Sequence, residues 1–201
     1  MSANSSSGSL LDYSIAGSEL RVPARAVATG LAVLLTAASA QVTFPIPHTP
    51  IPFVLTPLAV LLCGAALGSR LGAITQATYL LIGAAGLPVF APNPALPPGV
   101  LRLFGPTGGY LWAYPLAAFV AGWLAERGWD RRYLTSVAAM IVGLAIIYLG
   151  GLAWFTLSVT HSMTSSIAAG AFPWLVAADI LKVIAAATIL PQAWRLLGRR
   201  Q

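Results

Sequence analysis

Long apolar runs without charge dominate this sequence, and they restrict its possible folds more than any other feature. Only 8% of its 201 residues are charged, whereas a soluble domain carries about 25%. A run of about 20 apolar residues can cross the hydrocarbon core of a bilayer as a helix. We therefore predict an all-α integral membrane protein with six transmembrane helices, at residues 22–43, 54–69, 71–87, 106–126, 134–159 and 172–196.

The basic residues lie at the ends of these predicted helices and indicate an orientation. An even number of spans places both termini on one side, and cytoplasmic loops are enriched in Lys and Arg. With both termini in the cytoplasm, nine of the eleven basic residues are cytoplasmic, and the outer loops carry only Arg102. We predict a multi-pass protein of the cell (inner) membrane whose cytoplasmic arginines are Arg21, Arg25, Arg70, Arg127, Arg131, Arg132, Arg195, Arg199 and Arg200.

The remaining segments indicate no second domain. Residues 1–21 are polar and serine-rich and lack the features of a signal peptide, so we predict a disordered cytoplasmic tail. Residues 22–201 then form one six-helix domain, with little length left for a catalytic or ATPase module. The net charge of +6 does not indicate a nucleic-acid partner, because the basic residues are spread over helix ends. Cys63 is the single cysteine and excludes a disulfide within one chain.

Two ionisable residues lie within the sixth predicted span. Asp179 and Lys182 are three residues apart and therefore share a helix face. Each would cost about 2.5–3.5 kcal/mol facing lipid, so we expect both to face the bundle interior. They can form an ion pair that only fastens helices, or they can line a polar pocket that binds a ligand. We favour the pocket, because Ser or Thr could meet a packing role at lower desolvation cost.

Arg102 is a further candidate for ligand binding. It precedes the glycine-rich segment 105–109, where free N–H groups at a helix start favour an anion. A solvated loop arginine is the alternative. Asn93, in the same connection, can bind a ligand or form a turn. His48 and His161 stand on separate predicted loops, so we expect no metal site from them.

A stripe of small residues marks the first predicted helix. Ala28, Ala32, Thr36 and Ala40 recur every four residues and form one smooth face on which another helix can pack closely. This stripe can pack within the chain or dock a partner protein.

Several segments of the chain resemble the BioY family, the biotin-binding S components of energy-coupling factor (ECF) transporters. They follow one another in the family order and with similar spacing, and together they are specific. The matching segments are PIPHTPIP (45–52), LAVLLCGAALGSRLG (58–72), YLLIGAAGLPVFA (79–91), GPTGGYL (105–111) and the pair Asp179 and Lys182.

The resemblance implies an S-component-like helical bundle whose biotin pocket lies near the outer surface, beneath the first and third outer loops. It implies that Asp179 and Lys182 bind the ureido ring of biotin by hydrogen bonds. It also implies that Arg102 binds the carboxylate of the valerate chain. The implied substrate-binding residues are Asp179, Lys182, Arg102, Asn93, Tyr79 and Tyr110.

The resemblance further implies partners. A transmembrane T component and ABC-type ATPases work with S components, and the stripe from Ala28 to Ala40 resembles the surface that docks the T component. The sequence has no GxxxxGK[ST] motif for ATP, so energy is expected from such partners or from a gradient. Two departures from the family pattern are Thr56, where many relatives have Gln, and the proline-rich stretch 92–98 beside Asn93.

Other functions use the same features. An S component for another carboxylated vitamin, or a biotin facilitator without ATPase partners, would need a similar pocket. A purely structural subunit would tolerate loss of Asp179 and Lys182 whenever packing is preserved. An intramembrane hydrolase is disfavoured, because Asp179 lacks a second carboxylate and no Ser-His or HExxH set is visible. We therefore predict a transport protein without a cofactor rather than an enzyme.

Overall fold

The computed structural model describes residues 9–15, 21–46, 51–93, 96–170 and 173–198. Most of these residues are helical, and β1 (Thr43–Phe44) pairs with β2 (Phe53–Val54) as a short antiparallel hairpin. The helices in chain order are α1 (Leu10–Ser14), α2 (Arg21–Gln41), α3 (Thr56–Leu67), α4 (Ser69–Ala84), α5 (Leu101–Phe104), α6 (Gly108–Glu126), α7 (Tyr133–Phe155), α8 (Met163–Gly170), α9 (Pro173–Ala186) and α10 (Ile189–Gly198).

The predicted helices have counterparts in the structure. The first five correspond to α2, α3, α4, α6 and α7, and their ends differ from the prediction by a few residues. The sixth is divided into α9 and α10 by a turn at Ala187 and Thr188. Pro191 explains this interruption, because it has no N–H to donate to the carbonyl of Ala187 and its ring would clash with that carbonyl.

Among the described residues, three helical stretches are long and apolar enough to cross a membrane, judged by length and composition. They are Val22–Gln41, Tyr133–Thr160 and Val176–Leu196, and Thr56–Leu67 is a shorter apolar helix. The second stretch includes a π-helical turn, Thr156–Thr160, that continues α7. These stretches agree with the prediction of a helical membrane protein.

Helix α6 lies at the centre of the bundle and packs against α3, α4 and α7. Its inner face is built from small residues, and Ala117, Ala118 and Ala121 are fully buried. The α3 backbone packs directly against this face through a glycine. A Cβ added at Gly64 of α3 would lie 2.5 Å from the carbonyl oxygen of Ala118. Small residues that let backbones approach closely are the usual means of helix association in membranes.

A carboxylate from α6 fixes the turn between α3 and α4. Gly68 has a φ of 87° in this turn, a conformation that is costly for residues other than glycine. The Oε1 atom of Glu126 accepts hydrogen bonds from the Ser69 backbone N–H at 2.7 Å and from the Ser69 hydroxyl at 3.0 Å. This negative charge lies at the start of α4, where the helix dipole favours it.

Helix α1 lies in the segment that the sequence predicts to be a disordered tail. Ser9 is buried and its Oγ accepts a hydrogen bond from the backbone N–H of Asp12, which in turn forms an ion pair with Arg25 at 2.7 Å. The helix also packs against α3. Within the predicted tail, a serine cap and this packing therefore stabilise residues 9–15. The rest of that segment, up to residue 20, lies outside the described residues.

The small-residue stripe of α2 packs inside the chain. Ala32, Thr36 and Ala40 are buried and Ala28 is half-buried. Gln76 Nε2 of α4 donates a hydrogen bond to Thr36 Oγ1 at 3.3 Å. The stripe therefore packs within the chain, because its small residues let α2 approach α3 and α4. The opposite face, called the exposed face of α2 below, consists of Ala26, Val27, Gly30, Leu31, Leu34, Leu35 and Ala38.

We predict that Gly64→Ala destabilises the bundle. The added methyl group would lie 2.5 Å from the Ala118 carbonyl oxygen, and overpacking of this kind costs about 1–3 kcal/mol. The thermal unfolding midpoint of the detergent-purified protein should fall by roughly 3–10 °C.

Gly30→Ala is the matched control, because nothing lies within 4 Å of a Cβ added there. Its midpoint should stay unchanged or rise slightly, since alanine favours the helix. Equal decreases for both variants would contradict the close packing of α3 on α6.

Candidate substrate-binding site

A cavity lies at the end of the bundle that carries the β-hairpin. The hairpin, the segment after α4 and helices α3, α4, α6, α7 and α9 all contribute to its wall. Most of the lining is aromatic or aliphatic, with a carboxylate, a guanidinium and several hydroxyls among it. A pocket with a few polar groups in an apolar wall is typical of a small-molecule site. The lining residues are Ile51, Pro52, Val54, Thr56, Pro57, Tyr79, Phe90, Ala91, Arg102, Thr107, Tyr110, Leu111, Tyr114, Ile147, Tyr148 and Asp179.

Asp179 of α9 supplies the negative charge of the cavity. Its side chain is only 8% exposed, and both of its oxygens accept hydrogen bonds. Lys182 Nζ donates to Oδ1 at 2.5 Å, and the hydroxyl of Tyr148 donates to Oδ2 at 2.7 Å. A buried carboxylate requires such partners, because an uncompensated charge in this environment would be strongly destabilising.

Lys182 forms an ion pair with Asp179, which the sequence offered as the alternative to a shared pocket, and it lies behind the cavity wall. Direct binding of a ligand by Lys182 stays a prediction. Its ammonium also donates to the carbonyl oxygen of Val54 at 2.7 Å and lies 3.5 Å from the ring centroid of Phe53. Both of these residues belong to β2 of the hairpin. Lys182 is not one of the described residues that line the cavity. Its contacts therefore join α9 to the hairpin.

Aromatic side chains form much of the remaining wall. Tyr110 and Tyr148 meet edge to face with ring centroids 6.1 Å apart, and Tyr79 and Phe90 do so at 5.4 Å. The hydroxyl of Tyr79 donates to the carbonyl oxygen of Val89 at 3.1 Å. Edge-to-face pairs of this kind hold each ring in a fixed orientation. These aromatic groups can therefore enclose an apolar ring system.

Tyr148 lines the cavity, although it is not among the binding residues predicted from the sequence. It occupies an apolar stretch of α7, where an aromatic side chain is most simply assigned to packing. The available signal was its hydroxyl, because a polar group deep in a predicted span must find a hydrogen-bonding partner. Asp179 is that partner.

Arg102 of α5 lines the cavity, so the alternative of a purely solvated loop arginine is not what the structure shows. Its guanidinium donates to three backbone carbonyl oxygens, of Ala91 at 3.0 Å, Asn93 at 3.0 Å and Pro97 at 3.1 Å. Partial burial lowers the pKa of Arg102 from its usual value. Among the described residues it forms no salt bridge, so its charge can attract an anion.

The structure places Asn93 outside the cavity. It lies on a neighbouring groove that shares Arg102 and Phe90 with the cavity. Its backbone carbonyl accepts one of the Arg102 hydrogen bonds. Asn93 therefore supports the position of Arg102 directly, whereas a contact between its side chain and a ligand stays a prediction.

His161 does not add to the site. His161 is exposed and follows the π-helical turn with a φ of 51°, and His48 lies outside the described residues. Within the part of the chain that the structure describes, no three His, Cys, Asp or Glu side chains are placed to hold a metal ion. The cavity therefore presents hydrogen-bonding and charged groups for recognition: Asp179 and Tyr148 in one part of its wall and Arg102 in another.

Comparisons with known proteins agree with this architecture. A biotin transporter BioY of Thermotoga maritima is 41% identical over 145 residues, which are 72% of this chain and 81% of that protein. A probable biotin transporter BioY of Pyrococcus horikoshii is 39% identical over 168 residues, or 84% of this chain and 93% of the relative. The fold is similar to the crystal structure of an S-component for biotin from an ECF-type ABC transporter, with a TM-score of 0.73 and 20% identity over 87% of this chain and 90% of that one.

A family model gives the same result over nearly the whole length of the sequence. The model described as the BioY family matches residues 14–199, a range that contains the hairpin, every residue lining the cavity and the pair formed by Asp179 and Lys182. The chain therefore belongs to the BioY family.

Proposed function

We propose that this chain captures biotin outside the cell and mediates its uptake across the cytoplasmic membrane as the substrate-specific S component of an ECF-type transporter. The observation that carries the proposal is one cavity lined by both the Asp179 carboxylate and the Arg102 guanidinium. Biotin offers a cyclic urea, an apolar bicycle and a chain that ends in a carboxylate. The names of the related proteins, which are biotin transporters, support the same ligand.

The ureido ring of biotin binds beside Asp179 in this proposal. An ionised carboxylate has about four acceptor positions, so Asp179 can accept N–H groups of the ligand while it keeps Lys182 and Tyr148 as partners. The Tyr148 hydroxyl can also accept or donate a hydrogen bond next to the ligand. The rings of Tyr110 and Tyr79 then enclose the apolar bicycle.

The carboxylate of biotin binds toward Arg102. Three of the guanidinium's donors hold backbone carbonyls, and a guanidinium has five N–H groups in total, which leaves donors for an anion. Thr107, at the start of α6, adds a hydroxyl to this part of the lining. Asn93 contributes through its carbonyl, which holds Arg102 in place.

Residues 22–201 form the six-helix substrate-binding domain in this proposal. The six crossings are α2, α3, α4, α6, α7 and the pair α9 and α10, with both termini in the cytoplasm of a cell whose inner membrane holds the chain. The support is the distribution of basic residues, nine of eleven of which then face the cytoplasm. This orientation opens the hairpin end and its cavity to the outside.

A transmembrane T component docks on the exposed face of α2, and ABC-type ATPases supply the energy. A Cβ added at Gly30 would meet nothing within 4 Å, and Ala26, four residues earlier on the same face, is also small and exposed. Small exposed residues of this kind permit close approach of a partner helix. The energy must come from outside the chain, because the sequence has no ATP-binding motif of the P-loop type.

We predict that detergent-purified protein binds labelled biotin and that Asp179→Asn and Lys182→Met weaken binding about 10–100-fold. A hydrogen bond to a charged group contributes about 1.5–3 kcal/mol, and each substitution also leaves its former partner uncompensated. Equilibrium binding on monodisperse protein measures the effect.

Asp12→Asn is the control, because Asp12 belongs to an exposed ion pair with Arg25 and does not line the cavity; its binding should match the parent. A folded parent that does not bind biotin but binds another carboxylated vitamin in a competition panel would contradict the assigned ligand. Retained binding in both Asp179 and Lys182 variants would contradict the assigned site.

We predict that Gly30→Trp abolishes ATP-dependent biotin uptake without changing biotin binding. The indole would fill the open space that a partner helix needs on α2. Uptake is measured in vesicles that contain the T component and the ATPases, with Ile141→Trp on the exposed side of α7 as the matched control. Uptake that persists after removal of the ATPases would identify a facilitator and contradict the partner-driven mechanism.

A further inference from the structure

The ammonium of Lys182 connects two parts of the cavity wall that are far apart in sequence. It binds the carboxylate of Asp179 at 2.5 Å, the carbonyl oxygen of Val54 at 2.7 Å and the face of the Phe53 ring at 3.5 Å. Asp179 and Val54 both line the cavity, whereas Lys182 itself does not. Its side chain is 9% exposed, so these contacts replace the hydration it has lost.

Two of these three contacts depend on the position of the hairpin. Val54 and Phe53 form β2, and the adjoining residues Ile51 and Pro52 also line the cavity. A hairpin that moves away from the cavity therefore takes away the carbonyl and the aromatic ring from the ammonium. Only Asp179 would remain as its partner, and a poorly compensated charge at this depth is costly.

We propose that Lys182 is a positioning residue that latches the hairpin to Asp179 and holds the cavity closed. It acts through the carboxylate that receives the ligand and through the hairpin that covers it. The Lys182 ammonium then couples the closure of the hairpin to the orientation of the Asp179 carboxylate. The latch itself follows from the contacts of Lys182, and its effect on ligand release rests on the proposed function.

The Phe53 ring gives this latch a testable signature. An ammonium is attracted to the face of an aromatic ring, most strongly to that of Trp, whereas an aliphatic side chain of similar size offers no such attraction. A ring that only packs against apolar neighbours would be replaced equally well by Leu. The difference between aromatic and aliphatic substitutes at position 53 therefore separates a latch from ordinary packing.

The first experiment measures how fast biotin leaves the full-length protein in detergent. Labelled biotin is bound, excess unlabelled biotin is added, and the dissociation rate is followed for Phe53→Leu, Phe53→Trp and the control Phe44→Leu. Phe44 belongs to β1 and contacts the Phe53 ring at 6.1 Å between centroids, but it is 60% exposed. We expect Phe53→Leu to raise the dissociation rate about three- to thirtyfold, with Phe53→Trp and Phe44→Leu within about twofold of the parent.

Equal effects of Leu and Trp at position 53 would overturn the latch in favour of packing. A change confined to the association rate would overturn it as well, because a latch acts on the closed state.

The second experiment needs no biotin. Thr56 lines the cavity and is 2% exposed, so Thr56→Cys in a Cys63→Ala background places a thiol beneath the hairpin. A bulky, membrane-impermeant maleimide should label this thiol slowly, and Phe53→Leu or Lys182→Met should accelerate labelling at least about threefold. Lys182→Arg, which keeps the positive charge, should restore protection.

Acceleration in a protein that fails to bind biotin would support the latch and reject the proposed ligand. Unchanged labelling in both variants would overturn the latch, whatever the parent binds.

Discussion

The ion pair between Asp179 and Lys182 is the interaction on which the rest of the site depends. Neither charge can remain in the apolar interior of a bundle without close partners. Tyr148 from α7 and the Val54 carbonyl from the hairpin complete their hydrogen bonds. One buried pair thus determines how α7, α9 and the hairpin meet, and it leaves the carboxylate facing the cavity.

The packing of the bundle makes room for this pair in a specific way. Where α6 meets α3 and α4, the backbones come together through glycine and alanine, so this region is closely packed. At the hairpin end, tyrosines stand in place of these small residues and line a cavity. The close packing of α6 through glycine and alanine therefore supports the tyrosine-lined cavity at the hairpin end. The loop held by Arg102 covers a further part of this cavity.

Much of the fold and part of the site could be predicted from the sequence. The apolar runs predicted the helices to within a few residues, and three of the described stretches have the length that a bilayer requires. Asp179, Arg102, Tyr79 and Tyr110 do line one cavity, since buried charges and polar-tipped aromatics need polar surroundings. The break between α9 and α10 was also readable, in principle, from Pro191.

Other features depend on packing that a sequence pattern does not contain. The stripe of Ala32, Thr36 and Ala40 has the spacing of a docking face, but spacing cannot tell an internal partner from an external one, and the structure buries it. Lys182 sits on the same helix face as Asp179, yet only the fold of the hairpin decides that its ammonium meets Phe53. Residues 9–15 are ordered by contacts with α3, and the polar composition of this segment does not indicate such contacts.

A structure of the purified protein with biotin bound is the measurement that tests the central claim most directly. The account predicts biotin in the cavity at the hairpin end, with its ureido nitrogens at hydrogen-bonding distance from Asp179 and its carboxylate toward Arg102. Lys182 should still bind the Val54 carbonyl and the Phe53 ring. Biotin bound elsewhere, or bound with its carboxylate against Asp179 and its ureido ring toward Arg102, would contradict the account.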